Sequence, residues 1–212
     1  MSNHKPYVIG LTGSTGSGKT EAAKFLETLG AVRFDADEVS HAITAPGGVA
    51  LPAIREQFGD EVFFPDGTLN RPALAELVFN SLPHRRALEG IIHPLVQRTL
   101  LEGMDAAAAE GVKMAILDVP LLFECGMDAL CDETWALYVS PEKQLERIMA
   151  RDGLSLATAQ ARINSMMPTE QRNALATHAI DTDQPVEKTR QILTQLYRQA
   201  EKNAANKWKM DN

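Results

Sequence analysis

The chain has 212 residues, enough for one α/β domain with insertions or for two small domains, and 44% of them are hydrophobic, as in an ordinary globular protein. Its formal net charge of −7 excludes a general basic surface for nucleic acid or an anionic membrane, so a polyanionic ligand must be met by local clusters of Lys and Arg. Cys125 and Cys131 stand in no metal-binding or redox spacing and read as free thiols, and Met1-Ser-Asn-His-Lys-Pro leads into the first strand without a signal peptide or long apolar run, so a soluble cytoplasmic protein is expected.

From Tyr7 an apolar stretch short enough for a buried strand runs into Gly13-Ser14-Thr15-Gly16-Ser17-Gly18-Lys19-Thr20, which fits the P-loop pattern G-x-x-x-x-G-K-[ST] at every specified position. Triphosphate chemistry accounts for each choice. Gly13, Gly16 and Gly18 are expected to take positive φ and let backbone N–H groups point at phosphate oxygens. Lys19 places a compact cation near the β and γ phosphates, and the Thr20 hydroxyl is available to Mg²⁺. The following helix, Glu21 to Leu29, keeps Ala22, Phe25, Leu26 and Leu29 on one face and stops at Gly30, and its N-terminal dipole favours an anion. The ATP-binding residues expected are therefore 13–21, Gly13 to Glu21.

Ala31 to Asp37 reads as a second strand ending in two carboxylates, and strand, helix, strand within about thirty residues is a βαβ unit that favours a parallel sheet. Residues 38–111 change to helices, punctuated by Pro46-Gly47-Gly48, Pro65-Asp66-Gly67, Pro72 at a helix start and a break at His93-Pro94. This region reads as a helical insertion. Strands resume at Met114 to Pro120, Thr134 to Ser140 and His178 to Asp181. Between the last two lie a helix opened by Ser140-Pro141-Glu142, a break at Gly153 and a second helix capped by Ser155, and a closing helix runs from about Pro185 to Lys207.

Several groups can carry chemistry. Asp35 and Asp37 are two apart at a strand's carboxyl end, so in an extended strand they point the same way, toward the edge where open parallel sheets bind ligands. A carboxylate there can accept the proton of an attacking hydroxyl; the alternative is a helix N-cap. Lys143, Arg147 and Arg151 recur at i, i+4, i+8 on one helix, and neither arginine has an acid three or four residues away. Together with Arg162 they suggest a site for an external anion, unless acids from elsewhere pair with them. Asp118 ends a buried strand where a Walker B carboxylate reaches the Mg²⁺ shell, while Asp152 reads as a local partner of Arg151. His93, before a proline, is expected outside helical geometry, either bonded to substrate or satisfied by backbone. Trp135 is expected in the core, and Leu121-Leu122-Phe123 after Pro120 is either core or the wall of a ligand pocket.

In order along the chain, Gly10-Leu-Thr-Gly13 running into the P-loop, Phe34-Asp35-Ala36-Asp37, Pro46-Gly47, Asp66-Gly67-Thr-Leu-Asn-Arg71, Ile92-His93-Pro94-Leu95, Val119-Pro120-Leu121-Leu122-Phe123-Glu124 and Ser140-Pro141-Glu142-Lys-Gln144-Leu-Glu-Arg147 with Arg151-Asp152 resemble the dephospho-CoA kinase family across nearly the whole chain. The resemblance implies a P-loop kinase with a five-stranded parallel sheet, a core of 6–37, 112–140 and 176–207, a CoA-binding insertion at 38–111 and a lid at about 141–170. It implies ATP-dependent phosphorylation of the ribose 3′-hydroxyl of dephospho-CoA with Mg²⁺, the last step of coenzyme A synthesis, in a monomer or weak homo-oligomer.

By the same resemblance the catalytic residues are Asp37 as base, Lys19 and Arg147. Substrate contacts fall on Asp37, His93, Pro120, Leu121 and Arg71. Arg147, Arg151 and Arg162 belong to the lid, and Mg²⁺ falls on Thr20, with Asp118 through water. Three departures stand out: Ser14-Thr15 where the family usually has Gly-Ile, Met166 where Gln is common, and Asp181-Thr182 for the usual Asp-Asn. Rival readings are another small-molecule kinase of this fold, such as a nucleoside monophosphate or sugar kinase, and a catalytically dead CoA-binding protein. A GTP switch is disfavoured, because no Asn-Lys-x-Asp motif occurs.

Overall fold

The structure is a computed structural model that describes residues 5–210. Two compact units are distinguished, one formed by residues up to Phe34 and from Met104 onward, the other by Asp35–Gly103. The first holds five parallel strands in the order β2-β3-β1-β4-β5, with β1 Tyr7–Gly13, β2 Val32–Asp35, β3 Met114–Asp118, β4 Glu133–Tyr138 and β5 His178–Asp181. β1 lies between β3 and β4, with Leu11 opposite Asp118 and Gly13 opposite Leu137. Every residue of β1 and β3 is buried, as expected of a parallel sheet covered on both faces.

One face is closed by α1 (Lys19–Thr28) and α9 (Val186–Met210): Ile9, Leu11, Ile116, Trp135 and Leu137 pack with Ala23 and Leu26 of α1 and with Leu193, Tyr197 and Ala200 of α9. Strand side chains two apart meet helix side chains three and four apart, and burying both stripes is what holds the layer together. On the other face Gly10 lies under Cys131 and Leu122; a Cβ at residue 10 would stand 2.6 Å from the Cys131 sulfur. Burial pushes the Cys131 thiol up to about 12 and raises that of Cys125, so both remain protonated, unpaired thiols.

The unit at 35–103 holds α2 (Ala36–Ile43), α3 (Leu51–Phe58), α4 (Arg71–Phe79) and most of α5 (Leu82–Ala109). An isolated antiparallel bridge, Phe63 to Leu69, closes over the Pro65-Asp66-Gly67 turn, where the Asp66 carboxylate accepts from the Thr68 N–H at 2.9 Å. The expected break at His93-Pro94 does not occur: α5 runs through it with Pro94 inside. A proline forfeits one intrahelical bond, but Val96, Leu100, Met104 and Ala107 recur at helical spacing and are all buried, so packing along that stripe carries the helix across. After α6 (Pro141–Asp152) and α7 (Leu156–Asn164), the latter capped by the Ser155 hydroxyl accepting from Thr158 N, comes a helix the sequence reading omits, α8 (Thr169–Leu175). Seven residues of Thr-Glu-Gln-Arg-Asn-Ala-Leu show no apolar period, and only Pro168 marks the start.

Candidate active site

The central strand delivers the P-loop. Gly16 and Gly18 hold φ of 85° and 84°, the left-handed region that glycine enters without strain. Gly13 does not, contrary to expectation; its requirement is space. A Cβ there would lie 2.7 Å from the Leu137 carbonyl oxygen and 2.6 Å from the Ser17 hydroxyl. Gly13→Ala must push β1 from β4, at an expected cost of about 1–3 kcal/mol. Thermal unfolding checks this, and an unchanged midpoint would show that the strands yield freely.

Three successive carbonyls of the loop are each held by a side chain. Gln144 Nε2 donates to Thr15 O at 2.9 Å, Arg147 Nη1 to Gly16 O at 3.0 Å, and Thr182 Oγ1 to Ser17 O at 2.8 Å. In a trans peptide the N–H points opposite to the carbonyl, so fixing Thr15 O and Ser17 O fixes the direction of the Gly16 and Gly18 N–H groups. The Ser17 N–H closes the turn on Ser14 O at 3.0 Å. α1 begins without a side-chain cap, leaving its first-turn N–H groups for a different acceptor. The Ser14 and Ser17 hydroxyls are buried and have no hydrogen-bond partner among the described residues. Buried hydroxyls without a partner are costly to the free loop.

Neither Gln144 nor Thr182 was singled out from the sequence for this work. Gln144 stands three residues before Arg147, on the same face of α6, and that spacing was the available signal. Thr182 gave none beyond following β5. Its hydroxyl also lies 2.9 Å from Tyr138 O, so Thr182 ties the ends of β4 and β5 to the loop.

Beneath the loop lies a charge cluster. Asp118, fully buried, accepts from Lys19 Nζ on Oδ1 and from Arg33 on Oδ2, through Nε at 2.9 Å and Nη2 at 2.6 Å. Sequence reading missed Arg33; a lone cation within a strand of a buried sheet was the clue. Thr20, in the first turn of α1, is exposed, and Glu21 beside it pairs with Lys24 at 3.6 Å. The Pro120 carbonyl accepts from Thr12 Oγ1 at 2.9 Å, Leu121 is 42% exposed, and Leu122 is fully buried.

The basic residues of α6 do not form one open anion site. Lys143 pairs with Asp183, whereas Arg151 and Arg162 converge on Asp152, Arg151 through 2.7 and 2.9 Å contacts and Arg162 at 2.8 Å. The like-charge repulsion expected along the helix is thus relieved by acids from positions the i, i+4 rule does not cover. The Arg151 guanidinium holds the Asp152 carboxyl below the usual carboxylate range. Arg147 keeps its donors on backbone, with Nη2 3.3 Å from Thr182 O. Two of the departures meet: the Thr15 hydroxyl donates to the Met166 thioether at 3.6 Å, a weak bond where an amide would make a stronger one.

In the helical unit, β2 hands over to α2 earlier than expected. Asp35 is the N-cap of α2, its Oδ1 accepting from Asp37 N at 2.8 Å and Glu38 N at 3.2 Å. The helix therefore starts at Ala36, so the two aspartates do not share one side of a strand, and Asp37 is an exposed residue of the first helical turn. Arg71 donates from Nη2 to the Thr44 hydroxyl at 2.7 Å, at the carboxyl end of α2. His93, half-buried, lies within α5 rather than outside helical geometry.

The family model for dephospho-CoA kinase matches residues 7–188. The chain belongs to the dephospho-CoA kinase family. A dephospho-CoA kinase of Carboxydothermus hydrogenoformans is 39% identical over 190 residues, 89% of this chain and 92% of that relative. Among solved structures, TT1252 from Thermus thermophilus superposes with a TM-score of 0.80 at 31% identity, covering 92% of this chain and 98% of that one. The dephospho-CoA kinase from Campylobacter jejuni gives 0.69 at 28% identity over the same shares. Membership of the dephospho-CoA kinase family fits a braced P-loop on the central strand of a five-stranded parallel sheet.

Proposed function

We propose that this chain transfers the γ-phosphoryl group of ATP in line to the ribose 3′-hydroxyl of dephospho-CoA, giving CoA and ADP, with Asp37, Lys19 and Arg147 as its catalytic residues. The family assignment supports the activity, an ATP-dependent kinase step that completes coenzyme A synthesis. The observation that carries the nucleotide end is the loop at 13–20, whose carbonyls at Thr15, Gly16 and Ser17 are each tied outward. Amide dipoles held in place before the substrate arrives need no reorganisation as charge develops, and this is the main source of catalysis where the transition state is loose.

Asp37 orients the 3′-hydroxyl and takes its proton; with little bond formation to the incoming oxygen, positioning is the larger part of its work. Lys19 neutralises charge on the β and γ phosphates. Arg147 would follow the transferring group, a reading supported by its contact with Gly16 O in the same unit as the loop. Substrate contacts would fall on His93 and Arg71 in the unit at 35–103, which would bind the CoA moiety, and on Pro120 and Leu121 in the other unit. Residues 141–170, with Arg151 and Arg162, would act as the lid, whose closure keeps water from competing with the ribose.

The exposed Thr20 hydroxyl in the first turn of the uncapped α1 suits Mg²⁺, which in phosphoryl transfer keeps waters and phosphate oxygens as most of its ligands. Thr20 would hold it directly, with Asp118 reaching it through water from the oxygen that Lys19 vacates, and the ion would neutralise charge on the phosphates. No helix among the described residues is long and apolar enough to cross a membrane. We place the enzyme in the cytoplasm, as a monomer or weak homo-oligomer.

An assay coupled to ADP release tests the acceptor. Dephospho-CoA with ATP and Mg²⁺ is expected to give turnover at least about a hundredfold above AMP, shikimate or hexoses, because binding energy from the remote parts of the true substrate is used at the reacting centre. Equal rates with a nucleoside monophosphate would replace this acceptor with that one.

A further inference from the structure

Of the Lys19–Asp118–Arg33 cluster, only Arg33 has no part in the reaction proposed above. The two oxygens of Asp118 are assigned to different cations: Oδ1 to Lys19, Oδ2 to both the Nε and Nη2 of Arg33. Lys19 and Arg33 are each about 15% exposed and Asp118 not at all, so the carboxylate depends on protein charges rather than water. A phosphate that draws Lys19 toward itself loosens its hold on Asp118.

We propose that Arg33 is a positioning residue for nucleotide binding, the standing counter-ion of Asp118 that lets Lys19 leave the carboxylate for the phosphates. With Arg33 in place, departure of Lys19 leaves a neutral Arg–carboxylate pair still joined by two hydrogen bonds. Without it, departure strips a fully buried carboxylate of its charge partner, which is among the most unfavourable arrangements a protein interior offers. Arg33 therefore sets how readily Lys19 is surrendered, and its effect appears in ATP affinity before it appears in the chemical step. Arginine suits the post because it stays charged and presents two donors to one oxygen.

This inference rests on Lys19 serving the phosphates, and its test separates the two. ATP is titrated calorimetrically into the full chain with EDTA present, so that no metal enters the readout. Arg33→Met is expected to weaken ATP at least tenfold while kcat at saturating ATP stays within about threefold. In an Asp118→Asn background no carboxylate remains to be stranded when Lys19 moves, so adding Arg33→Met should weaken ATP by less than about threefold. Equal losses in both backgrounds, or a single variant within threefold of wild type, would overturn the proposal in favour of simple packing. Should Arg33→Met fail to fold, Arg33→Lys and the comparison of Asp118→Asn with the double variant still decide: both are expected to bind within fivefold of their references, and a larger loss in either overturns it. Lys19→Met retaining full ATP affinity would instead remove the phosphate role of Lys19; with that affinity lost and Arg33→Met unaffected, only the Arg33 role falls.

Discussion

Asp37→Asn is expected to fold and to bind ATP normally while kcat falls by about 10²–10⁴, the range a positioned general base contributes. Asp37 is exposed in the first turn of α2, and its backbone N–H, which Asn keeps, donates to the Asp35 carboxylate. Loss of a carboxylate near the helix start costs only about 0.3–1 kcal/mol through the helix dipole. Asp35→Ala gives the opposite pattern: the N-cap is lost, stability falls by about 0.5–2 kcal/mol, and the effect on kcat is the smaller of the two. Steady-state kinetics with dephospho-CoA and thermal unfolding of both variants separate base from cap. Near-normal turnover in Asp37→Asn would end its assignment.

The second large effect is expected at Arg147. Its guanidinium spans Gly16 O and Thr182 O, so Arg147→Met removes a brace of the P-loop together with the charge proposed to follow the phosphoryl group. A loss of about 10³ or more in kcat is expected, on the scale of an arginine that stabilises transferring phosphate. Arg147→Lys should recover only part of it, because an ammonium cannot reach two carbonyls with a planar fork. Single-turnover rates report the chemical step. A loss below tenfold in Arg147→Met would leave the residue a structural brace alone.

Much of the fold was legible because it rests on local rules. Short, mostly apolar runs gave all five strands, and the Gly-x-x-x-x-Gly-Lys-Thr spacing placed the loop, although α1 starts at Lys19 rather than at the expected Glu21. Where the reading failed, a non-local or competing local bond decided. Pro94 should have ended a helix, but the buried stripe from Val96 to Ala107 outweighed one missing hydrogen bond. Asp35 and Asp37 read either as strand-end carboxylates or as a helix cap, and the bond from Asp37 N to the Asp35 carboxylate decides for the cap. The charge pattern of α6 suggested cations waiting for an anion, yet Asp183 and Asp152 pair with two of them, Lys143 and Arg151, and Asp152 also with Arg162 of α7.

The sequence by itself determined the phosphate loop, the alternation of strand and helix, and the family, since each depends on residue type at short, fixed spacing. Only the tertiary structure decided which side chains hold that loop and which cations share Asp118. Gln144, Arg147 and Thr182 lie more than a hundred residues from the carbonyls they brace, and Arg33 lies 85 from its carboxylate. A single hydrogen bond carries no trace of its distant partner in composition or period; it exists because the parallel sheet sets the ends of β1, β2, β3 and β5 along one edge.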